Sequence, residues 1–419
     1  MDLTPKNLTR RRVVGALGLA LLAPAAGAGA ATAQAKGGPK PGSTPLTLTL
    51  PAPTGPYRVG TTSLHLVDGS RRDPWVPSRT RRELMVSLWY PALPAPGRGV
   101  ARQLPAGTAA RWAATAEAGL SVPSGAADWA ATRTHSVTGA PVRRRPGGLP
   151  VVLYSPGKDV PRQFGTVLAE DLASRGYVVV AVDHTYESIA VEFPGGRIEE
   201  KQPATETRQL RKLVDARVPD VRFVLDCLAV VNAGGNPDAG RRPLPTGLSR
   251  GLDLSAIGMF GHSLGGATTA QVMHDDRRVV AGADLDGAVG AGPDALGSVV
   301  ADGLDRPFLL MDSVMGNCHS PALAELWGHL RGRHHNIQMT SAGHYSYTDL
   351  QAQLPQLAAA GKVSASAVAQ AVGTVSPARS LLVQRTYLST FLDVHVRHRR
   401  DNGLFDGPSP AYPEALFID

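Results

Sequence analysis

The 419-residue chain is poor in cysteine, in aromatic rings and in charge. Its two cysteines, Cys227 and Cys318, lack CxxC spacing, so a thiolate metal site has no support. Aromatic residues make up 5% of the chain and charged residues 19%; no basic face is interleaved with rings, which removes the usual nucleic-acid surfaces despite a net charge of +8. That charge is spread along the chain, with short clusters at Arg143 to Arg145 and Arg397 to Arg400. Internal repeats are absent, and so are the repeated long apolar runs of a multi-span membrane protein. The 12 histidines are scattered, and the adjacent His334 and His335 would point to opposite faces of a strand, so no metal is expected. What is present is a 43% hydrophobic fraction, enough for one large α/β domain or two ordinary ones, and 46 glycines with 34 prolines that imply many turns and long loops.

Residues 1–35 read as an export signal. Thr9-Arg10-Arg11-Arg12 precedes an apolar run from Val13 to Ala23 that is too short to span a bilayer, and Ala33-Gln34-Ala35 offers a small-x-small cleavage site. The paired arginines resemble a twin-arginine leader, with an ordinary secretory signal as the alternative. Secretion is therefore the expected destination. In an exported chain an even pair of cysteines invites a disulfide, yet Cys227 falls in the helical apolar pattern Val221 to Leu228, where a thiol serves as a small buried hydrophobe.

Residues 36–54, rich in Gly, Pro and Thr, read as a flexible lead-in. The main domain is expected over 55–396 and a polar tail over 397–419, touching the domain through Phe405, Tyr412 and Phe417. Thr61 to Asp68 and Leu84 to Pro91 alternate like an opening antiparallel pair. From about 95 to 148 the composition turns to Ala, Gly, Pro and Arg, with helical alanine runs around Trp112 and Trp129, an insertion placed to cap a site. Then the rhythm becomes strand, turn, helix. Leu149 to Tyr154, Tyr177 to Val182, Ile257 to Phe260, Val279 to Leu285 and Phe308 to Met311 are continuously apolar, as strands buried on both faces of a parallel sheet are. Helical patterns fall at Phe164 to Ser174, Glu206 to Val231, Gly265 to His274, Pro321 to Leu330 and Ser380 to Val396.

The strongest chemical signal is Gly261-His262-Ser263-Leu264-Gly265-Gly266, which follows an apolar strand and opens a helix. A G-x-S-x-G serine on such a turn holds its hydroxyl exposed on a strained backbone, and the glycines let neighbouring chain approach. A serine hydroxyl needs a base, and in this arrangement an acid and then a histidine follow it in the chain. His344, in Ser341-Ala342-Gly343-His344-Tyr345-Ser346, comes just after the strand-like Asn336 to Met339. His274 lies too near the serine along its helix, and His395 and His398 belong to a charged surface; His334 and His335 enter the late strand from its wrong end. His184 ends a strand at the correct edge but precedes the serine, so it reads as a site-lining or structural residue. For the acid, Asp284, Asp286 and Asp312 all stand at strand ends, and spacing alone does not separate Asp286 from Asp312.

Further segments carry a family resemblance. Gly55-Pro56-Tyr57-Arg58-Val59-Gly60, Arg82-Glu83-Leu84-Met85-Val86 with Trp89-Tyr90-Pro91, and Tyr154-Ser155-Pro156-Gly157 resemble the secreted, plasma-type platelet-activating factor acetylhydrolases and their bacterial relatives. Gly261 to Gly266, Leu285-Asp286-Gly287 and Gly343-His344-Tyr345-Ser346-Tyr347-Thr348-Asp349 resemble that family's nucleophile turn, acid strand end and histidine loop, in the same order. The resemblance runs from about residue 55 to about 395. It implies an α/β-hydrolase fold, a mostly parallel central sheet with helices on both faces. It also implies a Ser263, Asp286, His344 triad with Asp312 as the alternative acid, and backbone N–H donors at Leu264 and Lys158 for the oxyanion. The loop reads Ser155-Pro156-Gly157 where many hydrolases have His-Gly, a departure at the second donor.

The implied activity is a serine esterase cleaving short or truncated acyl chains from phospholipid-like esters. It uses no cofactor and no metal, and its partners are a small-molecule or lipid ester and the lipid interface that carries it. A lipase or polyester hydrolase on longer-chain esters shares the same triad, and a non-catalytic lipid-binding protein on the same scaffold is the alternative from another class. N-terminal sequencing of the exported protein is expected to give a start near Lys36, and an intact Met1 terminus would remove the export reading.

Overall fold

The computed structural model describes residues 44–202, 210–313 and 321–418. The expected leader and Cys318 lie outside these residues. The chain opens with strands β1 (Leu46–Thr49), β2 (Arg58–Asp68), β3 (Arg82–Ala92) and β4 (Val100–Arg102), helix α1 (Ala106–Leu120) and strand β5 (Ala127–Thr138). Next come β6 (Leu149–Ser155), α2 (Thr166–Ser174), β7 (Val178–Asp183), a small hairpin of β8 (Ala190–Glu192) and β9 (Ile198–Glu200), and α3 (Leu210–Asn232). The second half holds β10 (Leu252–His262), α4 (Leu264–Asp275), β11 (Val279–Leu285), α5 (Val299–Asp302), β12 (Phe308–Asp312), α6 (Pro321–His329) and β13 (His334–Met339). It closes with α7 (Leu350–Ala359), α8 (Ala365–Val372), α9 (Pro377–His395) and β14 (Ala415–Phe417).

Strands β7, β6, β10, β11, β12 and β13 form a parallel centre in that order, flanked by antiparallel β3 and β2 on one side and by β14 on the other. Side chains alternate across this sheet. Val151 and Leu153 of β6 face a core completed by α3, α4 and α6, whereas Val152 and Tyr154 face the opposite core, completed by α2 and α9. Each fully buried Val or Leu contributes about 1.5–3 kcal/mol, so apolar runs in the sequence become the two-sided strands of the sheet. This is the α/β-hydrolase architecture.

Three expectations are corrected. The lead-in at 36–54 includes a strand: β1 pairs in parallel with β5, and Leu48 is buried against Trp112 and Trp129. Trp129 lies on strand β5 rather than in a helix, because the alanine-rich segment finds backbone partners in β1, β2 and β4 that outweigh its helical composition. The tail carries β14, whose residues Ala415 to Phe417 pair antiparallel with β13 while Phe405 is buried against Tyr387. The segment between 95 and 148 is therefore partly an extension of the sheet. Its helix α1 packs with α7 and α8 around Trp112 and Phe164. The N–H groups of Gly107 and Thr108, in the first turn of α1, donate to the Glu192 carboxylate at 2.7 and 3.2 Å, tying the helix to the β8–β9 hairpin.

Asp349 joins three of these regions. Its carboxylate accepts from the Val167 N–H at 3.0 Å and from Gln103 Nε2 at 2.7 Å, and its own N–H donates to the Phe164 carbonyl at 2.8 Å. Burial pushes its pKa from 3.8 up to about 7, so the folded state retains a proton that the unfolded chain has already lost. This contribution to stability is fully present below about pH 4, falls as pH rises through about 7, and is flat above that. Asp349→Asn is expected to gain stability relative to the parent as pH rises from 4 to 8, measured by urea unfolding at each pH; a pH-independent difference would contradict the assignment.

Candidate active site

Ser263 stands between the end of β10 and the start of α4 with φ 55° and ψ −125°, a left-handed backbone that a non-glycine residue adopts only when its surroundings enforce it. The enforcement is visible. The Ser263 N–H donates to the Leu285 carbonyl at 2.9 Å, and the Ser263 carbonyl accepts from the Gly266 N–H at 2.8 Å. A Cβ at Gly261 would lie 2.0 Å from the Gly265 carbonyl oxygen, and one at Gly265 would lie 1.9 Å from that of Ser155, so both positions require glycine.

The parallel order β10, β11, β12, β13 brings the ends of these strands to one edge. Asp286 follows β11 with φ 57°, its N–H donating to the Met311 carbonyl at 2.8 Å. His344 begins a single 3₁₀ turn, His344–Tyr347, after β13. Because an ionised carboxylate only accepts, His344 Nδ1–H donates to Asp286 Oδ2 at 2.6 Å; Nε2 then accepts the hydroxyl proton of Ser263, Oγ lying at 3.0 Å. The three residues thus form one continuous hydrogen-bonded chain. Ser263 and Asp286 are largely enclosed, whereas the His344 side chain keeps 38% of its surface, so the group opens to solvent at the imidazole.

The three candidate acids have different electrostatics. Burial pushes the Asp286 carboxyl up, but the hydrogen bond and charge of His344, joined by the Ser313 N–H, outweigh it and hold the group below its ordinary value. Asp284 and Asp312 are raised well above theirs, first by burial and then by neighbouring carboxylates, Asp286 among them. Asp312 ends β12, where its main-chain carbonyl accepts from Tyr347 Oη at 2.8 Å. Both ring nitrogens of His344 are already committed, to Asp286 and Ser263, which leaves none for Asp312.

Leu264 opens α4, so its N–H is one of the first-turn donors that have no acceptor within the helix. On the other side of the serine, a Cβ at Gly157 would sit 3.3 Å from that of Ser263, which places the loop after β6 against the nucleophile turn. Lys158 follows, its ammonium paired with Asp159 Oδ2 at 2.9 Å. A serine hydroxyl beside a helix-opening N–H, with an imidazole to take its proton, can support attack on a carbonyl, and the loop that carries Lys158 lies beside it.

His262 did not stand out in the sequence. Buried, it donates from Nε2 to the His344 carbonyl at 2.9 Å, fastening the histidine loop to the nucleophile turn. Burial, then the nearby His344, lowers its pKa to about 3, so it remains neutral. Occupying the variable position of G-x-S-x-G, it carried no signal of its own. His184 is buried beneath the loop after β6, hydrogen-bonded to Ser155. His274 pairs with Asp275 and Asp302 on the surface, while His395 is half-buried against Phe391 rather than a surface group. Cys227 is a buried free thiol of α3, pushed up to about 12 by burial. Among the described residues, no group of three or more His, Cys, Asp and Glu side chains is arranged to hold a metal, and no helix is long and apolar enough to cross a membrane.

A family model described as platelet-activating factor acetylhydrolase, isoform II, matches residues 45–358. A probable 1-alkyl-2-acetylglycerophosphocholine esterase of Arthroderma benhamiae is 27% identical over 405 residues, 90% of this chain and 95% of that protein. The platelet-activating factor acetylhydrolase of Cavia porcellus is 28% identical over 151 residues, about a third of each chain (33% and 34%). Among solved structures, a ferulic acid esterase from Streptomyces cinnamoneus superposes with a TM-score of 0.72 at 37% identity, covering 89% of this chain and 99% of that one.

The geometry separates the acids by experiment. Asp286→Asn is expected to lower kcat for an activated ester by about 10³- to 10⁴-fold, the scale of losing the imidazole's orienting acid. Asp312→Asn is expected to stay within about threefold, since a neutral carboxyl is replaced by a neutral amide. Steady-state kinetics on both variants reads the contrast, and the reverse order would move the acid to Asp312.

Proposed function

The chain belongs to the platelet-activating factor acetylhydrolase family of isoform II type and is a carboxylic ester hydrolase, and on that premise we propose that it is an exported serine esterase releasing short or truncated acyl groups from phospholipid-like esters. The observation that carries the mechanism is the hydrogen-bonded chain from Ser263 through His344 to Asp286. In this reading Ser263 Oγ attacks the ester carbonyl while His344 Nε2 takes its proton. The tetrahedral oxyanion receives the N–H groups of Leu264 and Lys158, each worth about 3 kcal/mol at a typical site. His344 returns the proton to the leaving alcohol, and a water attacking the acyl-enzyme passes its proton to the same nitrogen. Asp286, held ionised, keeps Nδ1 protonated throughout, so that Nε2 is the nitrogen that takes and returns the proton.

For the substrate, the family match and the Arthroderma benhamiae relative support an acetyl-bearing glycerophospholipid. A second reading, a hydroxycinnamate ester such as a ferulate, is favoured by the Streptomyces cinnamoneus structure, the more similar in sequence of the two long matches. Both use the same acyl-enzyme chemistry and differ in what the acyl site must hold. The expected export follows from the leader sequence.

Acyl release by the mature protein from matched phospholipids carrying a 2-acetyl or 2-palmitoyl group, with methyl ferulate as a third substrate, decides among these. Acetate release exceeding palmitate release by about 10-fold or more, a gap of about 1.4 kcal/mol, is the expected result. Faster turnover of the ferulate would replace the phospholipid reading with the second. Ser263→Ala is expected to lose about 10⁶-fold in kcat on whichever ester is cleaved, and a fully active alanine variant would remove the serine mechanism.

A further inference from the structure

Beneath the loop that carries Lys158 lies a second serine, histidine and aspartate in line. Ser155 Oγ is 3.0 Å from His184 Nε2, and His184 Nδ1 is 3.0 Å from Asp220 Oδ2. Asp220 also accepts from Arg82 Nε at 3.1 Å and Nη2 at 2.8 Å, so it is ionised and held as an acceptor. His184 Nδ1 is then the donor, which leaves Nε2 to accept the Ser155 hydroxyl proton. The order copies that of Ser263, His344 and Asp286, but Ser155 is 0% exposed and His184 is 1% exposed, so no ester reaches that hydroxyl. A role other than nucleophilic attack has to account for it.

The chain ends on the loop. Arg217, buried like the others, donates from Nη1 to the Pro156 carbonyl at 2.8 Å and from Nε to Glu187 Oε2 at 2.7 Å. Arg217 and Asp220 are three residues apart on α3 and share a face, so one helix turn grips the loop after β6 and, through His184 and Glu187, the turn after β7. Those two segments are also bridged directly, the Ile189 N–H donating to the Asp159 carbonyl at 3.3 Å. The next residue, Gly157, has the backbone freedom to let its flanking peptides rotate, and it lies against Ser263. A clamp on the Pro156 carbonyl fixes the plane of the Pro156–Gly157 peptide, and the Val160 N–H, donating to the Gly157 carbonyl at 3.3 Å, holds the Gly157–Lys158 peptide that carries the Lys158 N–H.

We propose that His184 and Arg217 are positioning residues, which hold the Ser155–Lys158 loop so that the Lys158 N–H is aimed at the oxyanion. The inference rests on the serine-esterase reading above. Burial lowers His184 to about 4, which agrees with a neutral ring that accepts from Ser155.

The test compares Arg217→Met, Arg217→Lys, His184→Gln and Ser155→Ala with the parent on 4-nitrophenyl acetate, together with the affinity of a trifluoromethyl ketone whose tetrahedral adduct carries the oxyanion. Arg217→Met and His184→Gln are expected to lose about 10- to 100-fold in kcat, with KM within about twofold and ketone affinity falling by the same factor as kcat. Arg217→Lys should recover part of both losses. If the larger changes do not fold, Ser155→Ala, which removes one hydroxyl, decides with a parallel loss of about three- to 10-fold. Folded variants that keep ketone affinity while kcat falls, or that keep both, overturn the proposal. Failure of the underlying reading shows separately, as activity that survives Ser263→Ala.

Discussion

A serine held with φ 55° between a strand and a helix is the constraint on which the other arrangements depend. Left-handed backbone at a non-glycine residue costs about 1–3 kcal/mol and persists only where the surrounding packing determines it. Here the packing is main chain against main chain: Gly265 lies so close to the Ser155 carbonyl that no side chain fits between them. Strand β6 is therefore drawn against the nucleophile turn, and the loop leaving β6 is brought beside the serine. The Leu285 carbonyl, which accepts from the Ser263 N–H, does the same for the end of β11 and thus for Asp286. One strained turn fixes two of the neighbours that its chemistry needs.

The carboxyls behind this turn show how burial can select one acid among three. Placing several charges together in a low-dielectric region is unfavourable, and the groups with less to offset their burial remain protonated. Asp286 alone meets the His344 imidazole, so it keeps its charge, while that charge helps to hold Asp284 and Asp312 neutral. A different solution applies beneath the loop after β6, where Arg82 and Arg217 are buried with Asp73, Asp220 and Glu187. Buried ion pairs of this kind contribute little net stability, but removing one partner leaves the other uncompensated at a cost of about 3–5 kcal/mol. Their effect is to fix geometry, since each buried guanidinium is aimed at carboxylates on separate segments. The site is thus supported on one side by main-chain contact and on the other by fixed charge.

Much of this was legible in the sequence because the relevant physics is local or ordered along the chain. Continuous apolar runs marked the parallel strands, and the glycines around Ser263 marked the tight turn. Asp286 and Asp312 could not be separated by spacing, since both end neighbouring strands; the difference lies in which one the imidazole faces. Trp129 was legible as apolar but not as part of a strand, because its backbone partners come from β1, more than 70 residues earlier in the chain. The strand Leu46–Thr49 alternates Leu and Thr but is only four residues beside a Gly- and Pro-rich stretch, and the strand Ala415–Phe417 is shorter still, so both are defined by their pairing. Arg217 and Asp220 carry no local signal that separates them from the other charges of α3, and only the fold shows them buried. Signals that depend on a partner distant in sequence were the ones lost.

Helix α1 and the β8–β9 hairpin are physically joined, which bears on how the segment between 95 and 148 can vary in this fold. Glu192 accepts from the Gly107 and Thr108 N–H groups in the first turn of α1, and Arg111 of α1 pairs with Glu200 of β9, so the segment between 95 and 148 and the β8–β9 hairpin share contacts at both positions. The hairpin in turn leans on the loop after β6, since Lys201, just past β9, pairs with Asp159 at 2.9 Å, and Asp159 follows Lys158. A displacement of α1 is therefore transmitted through Glu192 and Lys201 to the neighbourhood of the expected oxyanion donor. Were α1 to line the acyl site, substrate selection and oxyanion binding would be coupled by this route, because the same few side chains would set the position of both. A binding surface on a detached cap would be free to vary without touching the chemistry; here α1 and its hairpin are fastened to the loop beside Ser263, and a tolerated change must preserve that fastening.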